Sequence, residues 1–176
     1  MAALSNPSKS LRLRITLADQ ETLSSRAAQH PAARVARKLV AQAAIEHFDR
    51  EDATWWPFVR LVVYRLTVGE ARELVEAVER LIRGESQGFS FRSQVSTELG
   101  LQLGRGEQAE RFVVEAGVDL QGLLGRLSGA RSGEGEDLAL FRFGTTMAEL
   151  VSFASELKTE LRELSERDAP APDTAG

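Results

Sequence analysis

Two stretches of the chain share one pattern, an apolar run of β type that stops at a Thr-x-x-Glu box and continues as an amphipathic helix. The first runs from Phe58 to Ile82 with Thr67 and Glu70 as its box, and the second from Asp137 to Leu164 with Thr146 and Glu149. A Thr hydroxyl in this position accepts a backbone N–H of the first helical turn while the Glu reaches back to the cap, so strand end and helix start are set locally. In the first copy Val59, Leu61 and Val63 alternate with Val62, Tyr64 and Leu66. Apolar residues on both faces imply a central strand covered on both sides, or covered on one side and partnered on the other. The helix after it carries Ala71, Leu74, Val75, Val78, Leu81 and Ile82 on one stripe, and Gly84 stands where a left-handed cap would end it. The second helix has Met147, Leu150, Val151, Ala154, Leu157, Leu161 and Leu164 as its stripe.

Elsewhere the period changes. Leu11, Leu13, Ile15 and Leu17 alternate with Arg12, Arg14 and Thr16, which predicts a strand with one wet face. From Pro31 to Phe48 the chain is alanine-rich, with Ala36, Leu39, Val40, Ala43 and His47 at helical spacing and Pro31 suited to a first turn, so a helix is expected. Phe89 and Phe91, then Leu99, Leu101 and Leu103, then Phe112, Val114 and Ala116 alternate across short loops that include Gly104-Arg105-Gly106. That is the signature of antiparallel hairpins. A brief helical turn over Leu120 to Leu127 and a Gly/Ser-rich loop from Ser128 to Glu136 precede the last strand. The expected class is α+β, an antiparallel-dominated sheet of five to six strands packed against two or three amphipathic helices. Residues 11–166 form its single domain, between a disordered lead-in at 1–10 and a disordered, proline-bearing tail at 167–176.

Composition narrows the function classes. The chain has 176 residues, 43% hydrophobic and 27% charged, enough for one domain with a real core. Cysteine is absent, so disulfides, thiolate zinc sites and cysteine nucleophiles are excluded. No apolar run approaches the ~20 residues of a membrane-spanning helix. The N-terminus has no charged segment followed by an apolar one, so a cytoplasmic protein is expected. The net charge of -4 is unevenly spread: Met1 to Ala44 holds seven basic residues against two acids. Complementarity between a basic segment and an acidic body accounts for that split more simply than an anionic partner does.

Candidate chemistry is sparse. His30 and His47 are the only imidazoles and have no companion at metal-ligand spacing, so no metal and no cofactor is expected. The glycine-bearing segments Gly100 to Gly106 and Gly117 to Gly125 lack Gly-Lys-Ser/Thr, and no serine stands in a Gly-x-Ser-x-Gly elbow. Glu73, Glu76 and Glu79 follow one another at three-residue steps on a face with nothing apolar to desolvate them, which suits a docking surface better than acid–base catalysis. Arg34, Arg37 and Lys38 form a small basic group, but the pI of 5.4 argues against nucleic acid. Trp55 and Trp56 point to opposite faces of an extended segment, one into the core and the other free to anchor an interface or cap an edge. The expectation is a non-catalytic protein-binding module, with Trp55, Trp56, Glu73, Glu76 and Glu79 as its candidate interface. The rival is a self-associating structural or regulatory protein, for which a homo-oligomer is compatible.

The segment Thr54-Trp55-Trp56-Pro57-Phe58-Val59-Arg60-Leu61-Val62-Val63, the helix ending Leu81-Ile82-Arg83-Gly84, the pair Phe89-Ser90-Phe91 and the closing strand Leu140-Phe141-Arg142-Phe143 with its helix resemble WapI-like bacterial immunity proteins. The resemblance covers Trp55 to Leu164 and rests on pattern, and the alanine-rich segment from Pro31 to Phe48 departs from it. It implies a non-catalytic cytosolic protein that neutralises a toxin by binding it, with a basic toxin domain as partner and a complex weakened by salt.

Overall fold

The computed structural model describes residues 1–19, 38–96, 98–107, 111–120 and 138–166. Its elements, in chain order, are β1 (Ala2–Ser5), β2 (Leu11–Asp19), β3 (Lys38–Asp49), β4 (Thr54–Thr67), α1 (Val68–Arg83), β5 (Gly88–Arg92), β6 (Leu99–Arg105), β7 (Arg111–Asp119), β8 (Leu138–Thr146) and α2 (Met147–Glu166). Four strands and a helix therefore occur twice. The strands form two antiparallel sheets, β1-β2-β3-β4 and β5-β6-β7-β8, each a simple meander. The α+β class holds, but two four-stranded sheets replace the single sheet of five to six strands.

Two expectations are corrected in the first half. Residues 1–10 are not a disordered lead-in. Ala2 and Leu4 of β1 are fully buried opposite Ile15 and Leu13 of β2. The Asn6 carboxamide accepts the backbone N–H of Ser10 and Leu11 at 2.8 and 3.0 Å and so shapes the turn between the two strands. Four residues are too few for a period to be read. The helix expected from Pro31 to Phe48 is also absent over its described part, where Lys38–Asp49 is β3; positions 31–37 lie outside the described residues. Alanine favours helix in isolation, but Ala41, Ala43 and Ile45 alternate inward, and β3 pairs with β2 on one side and β4 on the other. Two ladders of backbone hydrogen bonds and a shared core override a weak local preference.

β4 runs longer than expected and is irregular. Its register against β3 shifts between Ala41 and Ala43 and again between Ile45 and Glu46. The first shift lets Leu61 and Leu66, which differ in parity, both turn into the core. The second leaves Phe58 as an extra residue between Val59, opposite Ile45, and Pro57, opposite Glu46.

Thr67 caps α1 with both halves of the expected box: Glu70 N donates to Thr67 Oγ1 at 3.0 Å, and Thr67 N donates to Glu70 Oε2 at 2.7 Å. Gly84 closes the helix at φ +77. The predicted stripe of α1 is buried as read at Ala71, Leu74, Val75, Val78 and Leu81. That of α2 is rotated. Phe153 is fully buried while Val151 is 48% exposed. The cause is where α2 packs: it lies across β1 and β2 of the first sheet and against α1, so the two halves interdigitate around one core. The short helix expected over Leu120 to Leu127, the loop after it and the tail at 167–176 fall outside the described residues, apart from Leu120 itself.

Candidate interaction surface

Trp55 and Trp56 open β4 and point to opposite faces, as expected, but neither belongs to the core that one of them was expected to fill. Trp55 is half-buried on the outer face of the first sheet, where the Arg12 guanidinium stacks 4.0 Å from its ring centroid and Phe48 lies 5.3 Å away. Arg12 and Arg14 together hold the buried carboxylate of Glu46, at 2.6 and 3.0 Å. Trp55 thus belongs to a closed structural cluster. Trp56 pairs in register with His47 and is 51% exposed.

The acidic row on α1 divides. Glu79 is engaged by Lys158 of α2 at 2.9 Å and by Arg83 at 3.8 Å, so it helps tie the two helices together. Glu73 and Glu76 are exposed and have no ion pair among the described residues. No hydrogen bond, ion pair or ring contact among the described residues joins this row to either tryptophan. The five sequence-predicted positions are therefore spread over separate places, of which Trp56 and the Glu73/Glu76 pair are open to solvent.

A second set of residues is more prominent. Phe58, the extra residue at the β4 bulge, is 57% exposed, and its ring lies 4.7 Å from His47 and 5.9 Å from Phe141 of β8. On the opposite face of β8, Leu138 and Leu140 are 51% and 60% exposed. They form one wall of a trough of about 260 Å³ on the outer face of the second sheet, floored by Gly100 and Gly117 and edged by Arg92 and Gln102. β8 is the outermost strand of its sheet, so among the described residues its far edge has no strand partner along Leu138–Phe143. Exposed apolar side chains along an unpaired edge are uncommon on a protein that works alone.

No family model, curated protein or solved structure matches the chain. The surface must be read from its own chemistry. Among the described residues no group of three or more His, Cys, Asp or Glu side chains could hold a metal, and no helix is long and apolar enough to cross a membrane. His47 packs on a phenyl ring, and His30 lies outside the described residues. The buried acid Glu46 is neutralised by two arginines. Burial raises the pKa of Glu70, but backbone N–H groups of Thr67 and Gln94 and the hydroxyls of Thr67 and Ser93 outweigh it, leaving the carboxyl below its ordinary value. These are structural roles.

Sequence reasoning missed Phe58 because it placed it in a strand with apolar residues on both faces, and Leu138 and Leu140 because it assigned no exposed face to the last strand. One signal was available. Pro57 lacks the N–H that a central strand needs, which marks β4 as an edge strand and its neighbour Phe58 as exposed.

Proposed function

We propose that this chain is a non-catalytic protein-binding module whose recognition surface is the apolar frame formed by Trp56 and Phe58 of β4 and Leu138 and Leu140 of β8. The observation that carries the reading is that these four large side chains are each at least half exposed, on strands at sheet edges. Large apolar groups beside an unpaired backbone gain from burial by a partner both in transferred surface and in hydrogen bonds. Glu73 and Glu76 offer a basic partner a further contact whose strength falls with salt. The biological form we favour is toxin neutralisation of the immunity-protein kind, with a basic toxin domain as partner.

The test is co-expression of the full chain with the product of each adjacent gene, followed by size-exclusion chromatography with light scattering. Co-elution with one neighbour, lost in Trp56→Lys and in Leu140→Lys, is expected. A stable homo-oligomer that ignores every neighbour would select self-association instead. A chain that stays alone in every combination would refute the binding module.

A further inference from the structure

We infer that the free edge of β8 takes an extended partner segment by strand addition, and that the segment carries an acidic residue followed, at alternate positions, by two apolar ones. This deepens the reading of the same surface as a partner site and rests on it.

The four sheet edges are not equivalent. β1 has four residues and β5 has five, too short to template a long pairing. Their ends are also occupied: Thr145 Oγ1 donates to Ser5 O at 2.8 Å, and Gln94 N, just past β5, donates to Glu70. β4 is interrupted by Pro57 and by two register shifts, and near its C-terminal end Arg65 N and O are taken by the Ser96 and Ser93 hydroxyls. β8 shares the Thr145 contact at its C-terminal end, but along Leu138–Phe143 it has none of these guards among the described residues. Its nine residues contain no proline and no lysine, and its register against β7 runs without a shift from Arg111↔Thr146 to Asp119↔Leu138. A long, regular, apolar edge is the form that accepts another strand.

Side chains then set what the strand must be. On the outer face, successive neighbours of an added strand are Leu138, Leu140 and Arg142. Arg142 pairs with Glu115 through Nε at 3.0 Å, yet its side chain is 67% exposed, which leaves its terminal nitrogens for a second carboxylate. Arg111 of β7 lies on the same face toward the Thr146 end and is exposed, so the Arg142 end of this edge carries two arginines against Glu115. On the inner face the neighbours are Ala139 and Phe141, with Phe58 beside the latter. An antiparallel occupant therefore reads Glu-x-Leu-x-Leu outward, its acid against Arg142 and its leucines against Leu140 and Leu138, with apolar residues such as valine at the inward positions.

The probe is a fluorescein-labelled peptide containing Glu-Val-Leu-Val-Leu, titrated with the full chain and followed by anisotropy. A Kd of about 10–100 µM is expected, with a loss of tenfold or more on replacing the peptide Glu by Lys and in the Arg142→Glu and Leu140→Lys variants. Two further peptides, N-methylated on one or the other set of alternate amides, separate strand addition from simple apolar contact. The set facing β8 should abolish binding and the other should preserve it. No binding up to ~1 mM, indifference to the Lys replacement, or equal behaviour of the two methylated peptides would overturn the inference. If the peptide fails while a neighbour-encoded partner still binds in a Leu140-dependent way, only this inference falls; if both fail, the binding module falls with it.

Discussion

The carboxylate of Glu149, in the first turn of α2, accepts the backbone N–H of Ser5 at 3.3 Å, joining two residues 144 positions apart. The first half has a counterpart: Glu70, in the first turn of α1, accepts Gln94 N just beyond β5 at 2.7 Å. Each helix box of one half thus holds the end of the first strand of the other half. Glu149→Ala should therefore cost about 1–2 kcal/mol, since it orphans a half-buried donor. Lys9 also touches Glu149, but it is exposed, and Lys9→Gln should change stability by less than about 0.5 kcal/mol. Thermal unfolding would check both; equal losses would mean that the ion pair matters and the backbone bond does not.

Glu70 makes the same argument testable by pH. Its folded-state pKa lies below its ordinary value of 4.5, so its stabilisation is fully present above that value and disappears as pH falls through the lower one. The difference in unfolding free energy between wild type and Glu70→Gln should be constant above about pH 5 and shrink steadily below it. Urea midpoints at a series of pH values would show it, and a difference independent of pH would rule out the carboxylate as the latch.

How far the fold could be read from the chain depended on how local each cause was. The Thr67 and Glu70 box, Gly84 and the alternation of Leu99, Leu101 and Leu103 act within a few residues, and their elements appear where expected. β3 was misread because what decides its state is its two neighbours and not its alanines. Phe153 was passed over because the face that α2 buries is chosen by β1 and β2, more than 120 positions away. The candidate surface suffered from the same limit. Glu73 and Glu76 are exposed as read, and Trp56 is the tryptophan left open, whereas the exposure of Leu138 and Leu140 follows from β8 being the last strand of its sheet, which no local pattern records.

Phe153 and Val151 offer a direct comparison on one helix. Phe153 is fully buried in the shared core, so Phe153→Ala should cost about 3–5 kcal/mol through lost transfer energy and the cavity left behind. Val151 is 48% exposed, and Val151→Ala should stay within about 0.5 kcal/mol of wild type. Chemical denaturation of the two variants decides it. A larger loss at Val151 would mean that α2 presents the face its own periodicity suggests and does not seat on the first sheet.

Gly84 isolates a backbone effect from packing. Its φ of +77 is a left-handed conformation, and its N–H donates to Leu81 O at 3.2 Å in closing α1. A Cβ there would meet only the end of the flexible Arg105 side chain, at 3.1 Å, so space is not the constraint. Gly84→Ala should then cost about 1–2 kcal/mol, the penalty of a Cβ in the left-handed region. Gly84→Asn should cost clearly less, because asparagine tolerates that conformation although its side chain is larger. Equilibrium unfolding of the pair separates the two causes: if Asn is worse than Ala, crowding by Arg105 governs the site and the conformational account of this helix end is wrong.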